Sequence, residues 1–239
     1  MTVDNLKFQT TYLSLDNEFY DMTDPTPLDD PYLISFNPNA AELIDLDTNS
    51  KDDPRFVGLL NGTFIPKGVR PFSMCYAGHQ FGNYAPRLGD GRAINLGSIN
   101  GWQLQTKGSG ETLYSRTSDG RAALPSSIRE YLMSEAMHHL GIPTTRALGI
   151  IGSQTKILRN NIERGAIVMR MSPSWVRFGT FEYFYYFKEY DKLRSLTDYV
   201  ITESYPHLQN DEERYFKFFC EVVERTAKLI AQWQGIGFN

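Results

Sequence analysis

Cysteine is nearly missing from this chain. Cys75 and Cys220 are its only two among 239 residues, too few for a disulfide framework and without the paired spacing of a zinc site. Both read as reduced, buried thiols. No apolar run approaches the ~20 residues that a membrane-spanning helix needs, and Met1-Thr-Val-Asp-Asn5 has none of the basic and apolar character of a secretion signal. The expectation is a cytoplasmic protein with no membrane partner. There is no Lys/Arg run and no nucleic-acid motif, so no nucleic-acid partner is expected. No G-x-x-x-x-G-K-[ST] occurs, and Gly89-Asp-Gly91 lacks a third glycine and precedes a strand. Those two absences exclude a P-loop and a dinucleotide fingerprint.

What is present is unevenly distributed. The net charge of −4 divides into −9 over residues 1–66, +8 over 67–180 and −3 over 181–239. A basic middle inside an acidic protein is a local field that concentrates a polyanion. Its arginines stand singly beside Gly, Ser and Asp, which favours a small phosphate ligand. The same boundaries suggest an N-terminal wrapping segment (1–66), a nucleotide-binding small lobe (67–180) and the start of a helical large lobe (181–239).

Local signals predict the elements. Asn37-Pro38 and Asp53-Pro54 each place a capping side chain before a first-turn proline, predicting two short helices, the second closed by Asn61-Gly62. Residues 93–99 and 102–107 predict a hairpin across Asn100-Gly101, with Lys107 on the face opposite Trp102 and Leu104. Pro125 and Gly141 bracket the clearest helix, with Ile128, Leu132, Ala136 and Leu140 as its buried stripe and Glu130 off that stripe. Strands are expected near 146–151 and 165–171, and a long helix over 211–234. The class is α+β: an antiparallel sheet, a helix packed on it, then mostly helices. The aromatic run Tyr183–Tyr190 reads as core packing. His79, His138 and His139 read as locally hydrogen-bonded rather than as bases.

Chemistry-bearing residues crowd between 87 and 130. Gly89, Gly91 and Arg92 form a glycine turn, Lys107 leaves a strand, Asp119-Gly120 makes a second turn, and Glu130 sits on the following helix. This is the logic of a kinase small lobe, where a glycine turn covers phosphates and a helix glutamate holds the strand lysine that reaches them. Taken as bare patterns, Lys107 with Glu130 also fits a surface salt bridge, Asp119 an Asx turn, and Arg170 a strand-end ion pair.

The order of motifs is more specific. Tyr76-Ala-Gly-His-Gln-Phe-Gly82, Leu88-Gly-Asp-Gly-Arg-Ala93, Lys107-Gly-Ser-Gly110, Tyr114-Ser-Arg116, Asp119-Gly-Arg-Ala122, Ile128-Arg-Glu130, Met169-Arg-Met-Ser172 and Val176-Arg-Phe-Gly179 together resemble the selenoprotein O (SelO/YdiU) family across essentially the whole chain. The resemblance implies a protein-kinase-like fold, a pseudokinase that transfers AMP from ATP to Ser, Thr or Tyr hydroxyls of protein substrates. ATP would lie reversed relative to ordinary kinases, so that the hydroxyl attacks the α-phosphate and pyrophosphate leaves. It further implies nucleotide binding by Gly89, Gly91, Arg92, Lys107, Asp119, Gly120, Arg170 and Arg177, with Glu130 pairing Lys107.

The resemblance also implies an Asp base and an Asn just after the long helix, in an His-Gly-Val-x-Asn-Thr-Asp-Asn segment, with a metal-binding Asp for Mg²⁺ or Mn²⁺ shortly beyond it. Asn239 precedes it and is not the metal-binding Asn. The reading is therefore of a truncated or split N-terminal half, with no catalytic or metal-binding residue of its own and with a second polypeptide as a possible source of the rest. Transfer by this chain alone is expected to be very slow or absent. A kinase-type phosphotransferase and a non-catalytic nucleotide-binding fragment stay open as alternatives.

Overall fold

The structure is a computed structural model that describes residues 1–238. Asn239, and the expectation attached to it, lies outside them. The described strands are, in chain order, β1 (Tyr20–Met22), β2 (Tyr32–Phe36), β3 (Phe72–Met74), β4 (Gly78–Gln80), β5 (Asn83–Ala85), β6 (Ala93–Ile99), β7 (Trp102–Lys107), β8 (Ala122–Ala123), β9 (Arg146–Leu158) and β10 (Ile162–Ser172). The α-helices are α1 (Pro38–Glu42), α2 (Pro54–Asn61), α3 (Leu124–His139), α4 (Phe178–Tyr186), α5 (Tyr190–Ser204) and α6 (Arg214–Gly235). The main sheet is antiparallel in the order β1-β3-β6-β7-β10-β9-β2, with β8 added to β10, while β4 and β5 form a separate hairpin. This is the α+β, kinase-like arrangement expected.

The capping rules hold at atomic detail. Asn37 accepts from the Ala40 N–H at 3.2 Å and opens α1; Asp53 accepts from the Arg55 N–H at 2.9 Å and opens α2. The segment before residue 67 is woven into the sheet. It supplies β1 at one edge and β2 at the other, leaving neither edge to a central strand of the sheet. Val3, Leu28, Ile44, Phe56 and Leu60 from this segment pack with Leu96, Leu104, Leu148, Ile151 and Ile167 in one core. A second core joins Phe19, Phe72 and Met74 to Phe184, Leu196 and Ile201 of the helices.

Three expectations need correction. Helix α3 has the predicted bounds, but its buried side is inverted: Leu132 is 58% and Leu140 61% exposed, and Ile128 and Ala136 are exposed with them. Ser127, Ser134 and Met137 are the buried positions. The sheet-facing side carries Glu130 and Glu135, whose cationic partners stand on the sheet. Charge pairing, not apolar periodicity, sets the rotation of this helix. Secondly, Cys75 is buried but Cys220, on α6, is exposed. Thirdly, of the aromatic run only Phe184 is fully buried, while Tyr185, Tyr186, Phe187 and Tyr190 are at least half exposed. The histidines meet other rings at steep angles: His79 lies 5.2 Å from the Tyr84 ring at 50°, and His138 5.3 Å from His139 at 65°.

Strands β9 and β10 run longer than expected because they continue pairing to Leu158 and Ile162, beyond the apolar stretch. Helix α6 buries none of its residues and exposes Phe216, Phe219 and Val223. Among the described residues, no helix is long and apolar enough to cross a membrane.

Arg146 tests the inverted helix. Its guanidinium forks onto Glu135 at 2.9 and 2.8 Å, and Glu135 also accepts the Ala147 N–H at 3.0 Å. The arginine side chain is only 4% exposed. Removing the carboxylate strands a buried charge, so Glu135→Ala is expected to lower stability by about 3 kcal/mol in urea denaturation. By contrast, Leu132→Ala on the exposed face should cost less than about 0.5 kcal/mol.

Candidate nucleotide-binding site

A cleft of about 360 Å³ opens between the glycine turn before β6, the end of β7, strand β10 and the segment entering α4. That volume suits a nucleotide-sized ligand. Gly89, Gly91, Arg92, Lys107, Arg170 and Arg177 all line it. Tyr76, Asp90 and Arg116 line it too and were not anticipated as site residues. Tyr76 and Arg116 stand inside the motifs that carried the family resemblance, which was the available signal for them. Asp90 likewise stands inside the Leu88–Ala93 motif, between its two glycines.

The cations are held by the sheet and by few carboxylates. Lys107 Nζ lies 2.5 Å from Glu130 Oε2, and Arg170 Nη1 lies 2.9 Å from Glu130 Oε1. Arg170 also donates to the Gln105 side chain, directly opposite it in the β7–β10 register, and lies 4.7 Å from the Trp175 ring. Arg177 stacks on Tyr76 at 4.2 Å, donates to the Trp175 carbonyl at 2.9 Å and approaches Asp90 Oδ1 at 3.4 Å. Burial, reinforced by the Arg170 charge, holds the Lys107 ammonium below its ordinary pKa despite Glu130. Burial would raise Glu130, but Arg170 and then Lys107 outweigh it and hold the carboxyl below its usual range. Both directions describe one carboxylate shared by two cations, a site short of negative charge.

The glycine turn does not work as a backbone anion cradle. The N–H groups of Gly89, Asp90 and Gly91 already donate to the carbonyls of Tyr76, Met74 and Gly89. Phosphate would therefore meet side-chain cations, not a nest of free amides. The glycines have another cause. Gly89 has φ +57°, and a Cβ there would lie 2.1 Å from the Tyr114 ring; one on Gly91 would lie 2.8 Å from the Tyr114 carbonyl oxygen. Thr112 and Ser115 tie the same segment to the turn by donating to the carbonyls of Asp90 (2.8 Å) and Gly91 (2.6 Å).

Asp119 and Gly120 are not brought into this lining. Asp119 accepts two bonds from Arg159, at 2.8 and 2.9 Å, and closes an Asx turn on the Arg121 N–H at 2.9 Å. The Arg159 bonds hold its carboxyl below the usual range. Gly120 has φ +64°, and a Cβ there would strike the Gly110 carbonyl at 2.1 Å. Ser118, two residues earlier, does reach the cleft. Among the described residues, no group of three or more His, Cys, Asp or Glu side chains is arranged to hold a metal ion. The donor set present does not fit Mg²⁺ or Mn²⁺.

Glu130 and Glu135 are both held below the ordinary value of 4.5, Glu135 because the Arg146 and Ala147 bonds outweigh its burial. Each binds fewer protons folded than unfolded near pH 4.5, so its stabilisation is complete above that pH and is lost as pH falls through the lower folded value. Denaturation midpoints should drop from about pH 5 to about pH 3, and Glu130→Gln should flatten that decline.

Comparison with known proteins gives this site a lineage. The family model described as "Protein adenylyltransferase SelO" matches residues 2–239. A protein nucleotidyltransferase YdiU from Myxococcus xanthus is 51% identical over 99% of this chain, which covers 50% of that relative. Proteins of the same name from Thiobacillus denitrificans and Thioalkalivibrio sulfidiphilus are 47% and 48% identical, with 50% and 49% of their lengths covered. The chain thus spans about half the length of the curated relatives it matches. With a match along nearly every residue, this chain belongs to the SelO family of protein adenylyltransferases.

Proposed function

We propose that this chain is the ATP-holding part of an enzyme that transfers AMP to hydroxyl groups of proteins. The observation that carries the reading is the convergence of Arg92, Lys107, Arg116, Arg170 and Arg177 on one cleft against only Asp90 and Glu130. A triphosphate supplies the negative charge this arrangement lacks, and arginine forks suit its oxygens. The name shared by the relatives favours nucleotidyl over phosphoryl transfer.

In the proposed reaction the oxygen of a Ser, Thr or Tyr hydroxyl attacks the α-phosphorus. The new P–O bond forms as the bond to pyrophosphate breaks, and the hydroxyl proton passes to a base. This chain's residues would bind, orient and neutralise the phosphates. Neither Asp90 in the cleft nor Glu130 behind its cations is placed as that base, because Glu130 is shared by two cations and Asp90 accepts from three sheet donors. Binding without transfer is thus the second reading, and that commitment of both carboxylates favours it. A cytoplasmic setting fits ATP use, and the exposed apolar side of α6 suits further polypeptide packed against it.

Calorimetry with ATP tests the binding claim. Arg170→Ala and Arg177→Ala should each weaken ATP by about tenfold or more, since each removes a charge-assisted contact, while AMP binding changes less. In a transfer assay with labelled ATP, Mg²⁺ and a protein acceptor, this chain alone should transfer no label. Robust labelling from the α-phosphate would show that it carries catalysis itself, and labelling from the γ-phosphate would favour phosphoryl transfer.

A further inference from the structure

Asp90 has the wrong sign for a polyanion cleft, yet its carboxylate is built into the cleft wall with a side chain only 1% exposed. Its two oxygens have separate tasks. Oδ2 accepts from the Met74 N–H (3.1 Å), Asn95 Nδ2 (3.0 Å) and Gln105 Nε2 (3.3 Å), which belong to β3, β6 and β7. Oδ1 faces Arg177 Nη2 at 3.4 Å. Gln105, itself fully buried, also donates to Asn95 Oδ1 at 3.0 Å and accepts from Arg170 with its own carbonyl oxygen. One carboxylate therefore contacts Arg177 directly and Arg170 through a single glutamine.

We propose that Asp90 is the positioning residue of the phosphate-binding arginines: its buried charge fixes the Arg177 guanidinium between Tyr76 and the Trp175 carbonyl and, through Gln105, sets the reach of Arg170. Two guanidinium groups converging on one cleft repel each other, and a flexible arginine would turn to solvent. A carboxylate anchored by three sheet donors cannot follow it, so the arginine stays. The role of these arginines rests on the nucleotide reading above; their placement by Asp90 does not.

Asp90→Asn separates the two tasks. The amide retains one acceptor oxygen, which the three donors of β3, β6 and β7 will claim. Its NH₂ must then face Arg177, donor against donor. The sign of the effect is diagnostic. Removing a negative charge from the cleft would strengthen polyanion binding if Asp90 acted only through its field, whereas loss of positioning weakens it.

The test measures ATP and tripolyphosphate binding to the chain by calorimetry, with folding checked by circular dichroism. Asp90→Asn is expected to weaken both ligands by about tenfold or more, with no further loss when it is added to Arg177→Ala. Unchanged or tighter binding, or full additivity with Arg177→Ala, overturns the proposal. Arg177→Lys covers the case in which Asp90→Asn does not fold. It keeps the charge but not the planar fork, and should bind as weakly as Arg177→Ala; affinity like the unsubstituted chain overturns the proposal. If the unsubstituted chain binds neither ligand, the nucleotide reading fails on its own. A crystal structure of Asp90→Asn then decides the positioning role: Arg177 moved off the Tyr76 ring supports it, and Arg177 in place overturns it.

Discussion

Glu130 is the one carboxylate on which two strands and a helix agree. It sits on α3 and takes Lys107 from the end of β7 and Arg170 from near the end of β10. Unit charges about 4 Å apart interact by about 4 kcal/mol at an effective dielectric of ~20. That is comparable with the net stability of a typical domain. Crowding Lys107 and Arg170 together without their shared counter-ion would therefore be costly, and Arg177 has Asp90 in that place. With both carboxylates, the cations remain under-neutralised, which is the condition for holding an anion that comes and goes.

The same requirement explains why α3 turns a polar side to the sheet. Its apolar residues at 128, 132, 136 and 140 form a textual stripe, and hydrophobic periodicity alone points that stripe inward. The burial of Arg146 beside Glu135 and the shared carboxylate of Glu130 demand the opposite rotation. Desolvated ion pairs fail badly when one partner is withdrawn, whereas partly exposed leucines cost little. When the two signals conflict within one helix, the ion pairs decide.

Local grammar was legible in the sequence because its causes are local. Asn37, Asp53 and the Asn100-Gly101 turn act on residues within a few positions, and the elements appear where those residues place them. The pairing of Lys107 with Glu130 was also legible, as a strand lysine followed by a helix glutamate. What could not be read were partnerships set by the fold alone. Arg159 reaches Asp119 from the β9–β10 turn, and the N-terminal segment finishes both sheet edges. The glycines of the 89–91 turn were legible as necessary but not for the operative steric reason, since nothing local announces that Tyr114 will lie on them.

That last point bears on how the cleft can work. A loop that binds phosphate with backbone amides must leave those amides free, and here the turn donates its own to neighbouring carbonyls. Phosphate recognition, as proposed, would pass to long side chains, which bring full charges but also rotamer freedom that binding must remove. The structure counters that freedom with flat supports: Tyr76 under Arg177, Trp175 beside Arg170, and carboxylates behind both. Tyr76 and Asp90 are themselves part of the cleft lining. The cleft is thus preorganised for charge rather than for proton transfer, because the acidic groups that could accept a proton are the ones that keep its arginines in place.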